Sequence, residues 1–170
     1  MPEYQLNHMV VDIARDALLL DTNVLVAAFN PSEDDGNKDN AKYILDEHEQ
    51  QLLVPTVVVV EAWGFLVGRS RNWSAGFEMF TWLNSPGRAT IVPANQNELD
   101  KTQRLMSALS LDCVDAMLAE LATNITQSCG LTPPLTIATF DTRDFLKMTK
   151  NYGLELAIFD MRTFETLILP

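Results

Sequence analysis

The chain has 170 residues, with 12 Lys and Arg against 23 Asp and Glu, two His, two Cys and a formal net charge of −11. That length suits one domain, residues 1–170, with a sizeable core, and 47% hydrophobic with 21% charged residues excludes collagen-like, low-complexity and disordered chains. A chain this acidic has no general attraction for polyanions, so any nucleic acid must be met through local basic residues or bound cations.

Residues 1–16 read as an N-terminal extension without a basic, signal-like start. Residues 17–21 form the first short apolar run, which ends in Asp21. The polar stretch 31–40 reads as a surface loop; an EF-hand register fails there, because it puts Pro31 and Lys42 where carboxylates are required. Residues 40–50 carry Ala41, Ile44, Leu45 and His48 at helical spacing. No segment has the roughly 18 unbroken apolar residues of a membrane span; the best, 52–60, is interrupted by Pro55 and Thr56. The expected location is cytoplasmic. Residues 55–68 are too many for a strand, and Pro55-Thr56 suits a helix start, so this segment reads as a helix buried nearly all round.

Further along, residues 74–83 place Phe77, Phe80 and Trp82 near one side of a helix, and 89–92 is a short apolar run. Residues 96–109 and 112–129 carry two more helical stripes, Leu99, Leu105, Met106 and Leu109, then Val114, Leu118, Leu121, Ala122, Ile125 and Cys129. Gly130 stops the second. Cys113 and Cys129 lie at its two ends, roughly 24 Å apart and beyond disulfide reach, which predicts free thiols. Residues 135–141 and 154–160 are apolar runs ending in Asp141 and Asp160. Apolar runs this short suit strands buried on both faces. Their alternation with helices predicts an α/β fold, a three-layer α/β/α sandwich with a mostly parallel central sheet.

In open α/β sheets, ligands bind beyond the carboxyl ends of the strands. Asp21 and Asp141 stand at two such ends, although each also suits a cap for the following helix. Glu61 is the lone charge between Pro55 and Gly68, and burying it alone would cost several kcal/mol, roughly. Asp112 and Asp115 open the long helix as N-cap and third residue, a capping arrangement that by itself accounts for both. If these acids converge, cations must compensate them, and oxygen-only donors favour Mg²⁺ or Mn²⁺. Such a site polarises a phosphodiester and activates water for its hydrolysis.

The segments Leu20-Asp21-Thr22-Asn23, Val60-Glu61-Ala62, Val114-Asp115-Ala116 and Ala138-Thr139-Phe140-Asp141-Thr142-Arg143-Asp144-Phe145 resemble, in order, the successive motifs of PIN-domain nucleases, above all the ribonuclease toxins of type II toxin–antitoxin pairs (VapC-like). The resemblance implies a PIN-like fold and a Mg²⁺- or Mn²⁺-dependent endoribonuclease, a hydrolase of RNA. It makes Asp21, Glu61, Asp115 and Asp141 the catalytic, metal-binding quartet. Thr22, Asn23, Thr139 and Asp144 become its supporting residues, while Asp112 falls outside the usual pattern. The partners it implies are RNA, a basic antitoxin protein and a second copy of the chain. Arg143 and Lys147, then Arg69, Arg71 and Lys150, are the basic candidates for phosphate contact. The alternative keeps the fold with weak or absent catalysis, as an interaction module whose acidic crevice receives a basic protein. His8 and His48 have no partners at metal or triad spacing, and no phosphate-loop or nucleophile-elbow motif occurs. Trp63, Trp73 and Trp82 read as core or dimer-interface residues.

Overall fold

The computed structural model describes residues 3–6, 9–93 and 96–169; His8 lies outside them. Two strands, β1 (Glu3–Leu6) and β2 (Met9–Asp12), pair antiparallel as a hairpin. The hairpin occupies most of the N-terminal extension, and β1 lies against α6 (Cys113–Cys129). Gln51 ties the following segment down: its Oε1 accepts from Ala14 N at 2.8 Å, and its Nε2 donates to Asp12 O at 2.9 Å.

The main sheet has six strands in the order β5-β4-β3-β6-β7-β8. These are β3 (Leu18–Leu20), β4 (Leu52–Pro55), β5 (Thr90–Val92), β6 (Thr136–Thr139), β7 (Leu156–Asp160) and β8 (Glu165–Leu169). The first five in this list run parallel, and only β8 is antiparallel to its neighbour. Leu18, Leu19, Leu20, Leu53, Val54, Ile137 and Ala138 are all buried. A strand buried on both faces has apolar residues at successive positions, which explains the short continuous runs. Each fully buried leucine contributes about 2 kcal/mol of transfer free energy.

The helices form two groups. One holds α1 (Thr22–Phe29), α2 (Asp35–Lys42), α3 (Thr56–Trp63) and α4 (Trp73–Leu83); the other holds α5 (Gln96–Leu109), α6 and α7 (Arg143–Tyr152). The chain steps outward from β3 to β4 and β5, then returns to the other side of β3 as β6 and continues to β7. Right-handed crossovers in these two opposite directions put the two helix groups on opposite faces. The expected three layers and mostly parallel sheet are therefore present.

Several boundaries differ from the sequence reading. The segment 55–68 is not one buried helix. Pro55 ends β4 and, with extended backbone (φ −62°, ψ 142°), directly precedes α3, which continues as a wider π-helical turn, Gly64–Arg69. Thr56, Val60 and Glu61 are exposed, so this helix has a solvent side. The polar stretch 31–40 is not all loop, because Asp34 caps α2 by accepting from Gly36 N and Asn37 N. That helix runs on into a π-helical turn, Tyr43–Glu47, and ends before Gln50. On α4, Phe77 and Phe80 face Trp63, whereas Trp82 turns to Phe29. Trp63 and Trp82 are partly buried against the core, but Trp73 is exposed. Helix α6 keeps its predicted stripe and stops at Gly130, whose left-handed φ of 60° suits a residue without Cβ. Cys113 and Cys129 are not joined in a disulfide, as predicted. No helix among the described residues is long and apolar enough to cross a membrane.

Candidate functional site

The order in which strands are added to the sheet reverses between β3 and β6, and the crevice beyond their carboxyl ends is where such a sheet offers a site. Asp21 follows β3 directly. It is 3% exposed and caps α1, with Oδ1 accepting from Thr22 N at 2.6 Å. Its Oδ2 accepts from Asn23 Nδ2 at 2.6 Å and from Thr139 Oγ1 at 2.7 Å. Asn23 also donates to Thr139 Oγ1 and accepts from Phe140 N, both at 3.0 Å. Thr139 Oγ1 in turn accepts from Asp141 N at 2.9 Å. Asn23 and Thr139 therefore stitch the end of β3 to the end of β6 and aim Asp21 into the crevice.

The other acids arrive from helices. Glu61 stands on α3 and accepts from Thr22 Oγ1. Asp112 caps α6, accepting from Val114 N at 2.9 Å, and Asp115 sits half-buried in the first turn. Asp141 is exposed before α7, with Oδ1 accepting from Arg143 N at 3.0 Å. Asp21, Glu61, Asp112, Asp115 and Asp141 line one pocket of about 290 Å³, whose apolar wall is Val26 and Phe65. All four acids singled out from the sequence thus border one crevice. Asp112, assigned there as a cap or outer residue, both caps and lines it. The wall residue Val26 carried no signal in a sequence reading directed at charged side chains, whereas helical spacing puts Phe65 on the face of Glu61.

The basic candidates also have definite places. Arg143 Nη2 lies 3.4 Å from Asp141 Oδ2, and its Nε lies 3.5 Å from Asp144 Oδ1. Lys147 pairs with Asp144. Arg69 stacks over Phe65 at 5.5 Å from the ring centroid. Lys150 is exposed.

The PIN domain family matches residues 18–151 of the chain, most of its length. The chain belongs to the PIN domain family. No curated protein matches it, but solved structures share its fold. VapC20 of Mycobacterium tuberculosis, a toxin that cleaves the sarcin–ricin loop, aligns with a TM-score of 0.59 at 14% identity, over 75% of this chain and 92% of that one. A toxin–antitoxin complex from Klebsiella pneumoniae gives 0.52 at 20% identity, over 75% and 89%. VapBC2 from Rickettsia felis, bound to a DNA fragment from its promoter, gives 0.52 at 17% identity, over 85% and 99%.

On its Asp21 and Asp115 side, the electrostatics of this PIN domain's crevice are dominated by carboxylates that raise one another. Burial pushes the Asp21 carboxyl up to about 6, helped by the Glu61 charge and opposed by the hydrogen bonds from Thr139, Thr22 and Asn23. Burial raises Asp115 further, to about 8, with the charges of Asp21, Asp112, Asp144 and Glu61 adding to it. The donor set is oxygen-only, which suits a hard divalent cation. Yet among the described residues no three His, Cys, Asp or Glu side chains are gathered closely enough to share one metal ion. The acids border the pocket without converging on a point.

Proposed function

We propose that this PIN domain is an endoribonuclease of the toxin type that hydrolyses RNA phosphodiester bonds with Mg²⁺ or Mn²⁺. The observation that carries this reading is the pocket lined together by Asp21, Glu61, Asp115 and Asp141 at the β3–β6 crevice. In this reading those four residues hold the cation. When bound, it supplies positive charge that polarises the phosphodiester and steadies the leaving oxygen. Thr139 and Asn23 keep Asp21 Oδ2 in one orientation, and Thr22 does the same for Glu61 Oε2. Asp115, drawn up by burial, favours its protonated form near neutral pH. Arg143 and Lys147 sit beside the crevice mouth as contacts for the flanking phosphates, and Asp144 holds them there.

A basic antitoxin is the protein partner that this reading brings. The net charge of −11 supports it, as does the likeness to chains solved in toxin–antitoxin complexes. A homodimer, a cytoplasmic location and a single domain spanning residues 1–170 complete the reading. The test is cleavage of a mixed structured RNA pool by the purified protein with Mn²⁺, beside Asp21→Asn. Cleavage should require Mn²⁺ and fall at least about a hundredfold in the variant, the scale of losing an electrostatic catalytic group. Equal cleavage by Asp21→Asn would overturn the assignment of the site. Absence of cleavage by the parent would favour the binding-module alternative.

A further inference from the structure

The fourth acid of the crevice is paired with a basic side chain of its own. Asp141 Oδ1 is occupied by the backbone N–H of Arg143 at 3.0 Å, and its Oδ2 faces the Arg143 guanidinium at 3.4 Å. The same guanidinium reaches Asp144 at 3.5 Å, and Lys147 holds Asp144 from one turn further along α7. No three acids among the described residues meet at one point.

We infer that Arg143 is a latch: with the crevice free of cation it holds Asp141 against the start of α7, and a divalent cation competes with it for that carboxylate. The inference rests on the proposed reading of the crevice as a cation site. A single guanidinium serves two carboxylates at the pocket mouth, so it satisfies them without filling the pocket. Its side chain is 73% exposed and that of Asp141 52%. Ion pairs exposed to this degree are weak and screened by water. Competition therefore changes cation affinity a few-fold and does not block it. Once displaced, Arg143 stays tethered to the first turn of α7, beside the crevice, with its charge available to a substrate phosphate. Asp144 and Lys147 remain paired and mark where the arm returns. Arg143 is thus a positioning residue whose two partners, carboxylate and phosphate, alternate with cation loading.

The test is calorimetric titration of Mn²⁺ into the full chain in four forms: parent, Arg143→Gln, Asp141→Asn and the double variant. Both side chains are exposed, so the substitutions spare the core, and circular dichroism checks the fold. Arg143→Gln should bind Mn²⁺ about threefold to fivefold tighter than the parent, the scale of one or two exposed pairs. In the Asp141→Asn background the same change should give no such gain. Lys150→Gln, which removes an exposed positive charge from the same helix, sets the size of a plain charge effect. Unchanged or weaker binding by Arg143→Gln overturns the latch. An equal gain in both backgrounds also overturns it, because the effect would then be charge acting through space and not competition for Asp141. If no form binds Mn²⁺, including the parent, the cation reading itself falls and the latch falls with it.

Discussion

The two strand ends that frame the crevice hold their acids in opposite ways. At the β3 end, Asp21 is buried and fixed by neutral donors, Asn23, Thr139 and a backbone N–H. At the β6 end, Asp141 and Asp144 are matched by the full charges of Arg143 and Lys147 in solvent. Neutral donors orient a carboxylate without cancelling its charge, whereas a guanidinium does cancel it. The potential is therefore deepest on the Asp21–Asp115 side, and orientation is softest on the Asp141 side. A buried, uncompensated half faces a more exposed, compensated one.

This contrast breaks most visibly through pH. Asp21 and Asp115 have folded-state values raised to about 6 and about 8, above the 3.8 of an ordinary aspartate. The folded chain then binds more protons than the unfolded chain between these values. The stability these two groups contribute is fully present below about pH 4 and is lost as pH rises through 6 and then 8. Asp21 alone accounts for on the order of 2–3 kcal/mol of that loss. In chelator, the melting temperature should fall by about 5–10 °C between pH 5 and pH 9, and Mn²⁺ should restore it at the alkaline end by binding the folded state. A melting temperature flat across this range would show that the β3 side is not electrostatically strained.

A second prediction sharpens the buried half. Asn23→Ala removes two donors and leaves Phe140 N without its partner. It should lower stability by about 2 kcal/mol, read from the urea midpoint. The cap of α6 comes next: Asp112→Ala should cost about 1 kcal/mol. At the exposed half the expected effect is smallest. Lys147→Ala should change stability by less than about 0.5 kcal/mol, even though its ion pair with Asp144 is close. A loss there equal to that of Asn23→Ala would erase the distinction between the two halves.

The parts of the site on strand ends were legible because a run such as residues 17–21 changes abruptly from apolar to acidic, and the sheet topology then decides what lies beyond it. Elements joined without a loop were harder to read. Pro55 ends one strand and precedes a helix directly, so propensity and length gave conflicting signals, and the solvent side of α3 that carries Glu61 was misjudged as buried. Asp34 starts α2 inside a stretch whose composition suits a loop, because one cap outweighs local polarity. Strand β8 has only weak alternation, Leu167 and Leu169 being partly buried and Ile168 exposed at the sheet edge. The pairing of Asp141 with Arg143 depends on where the Arg143 side chain lies, which residue spacing does not encode.

The order of strands in the sheet has a consequence for synthesis. Strands β5, β4 and β3 come from the first part of the chain, and β6, β7 and β8 from a later part. The two sets meet along the single seam where Leu18, Leu19 and Leu20 pair with Thr136, Ile137 and Ala138. The crevice lies on that seam, and the bond that closes it joins residues 118 positions apart. A nascent chain therefore presents Asp21 and Glu61 while β6, one of the two strands that pair with β3, is still being made. Closing so long a loop comes late, because its entropy must be met before any contact rewards it. A prematurely released polypeptide would expose the open edge of β3 but have no completed crevice, so the chemistry becomes available only once β6 has docked.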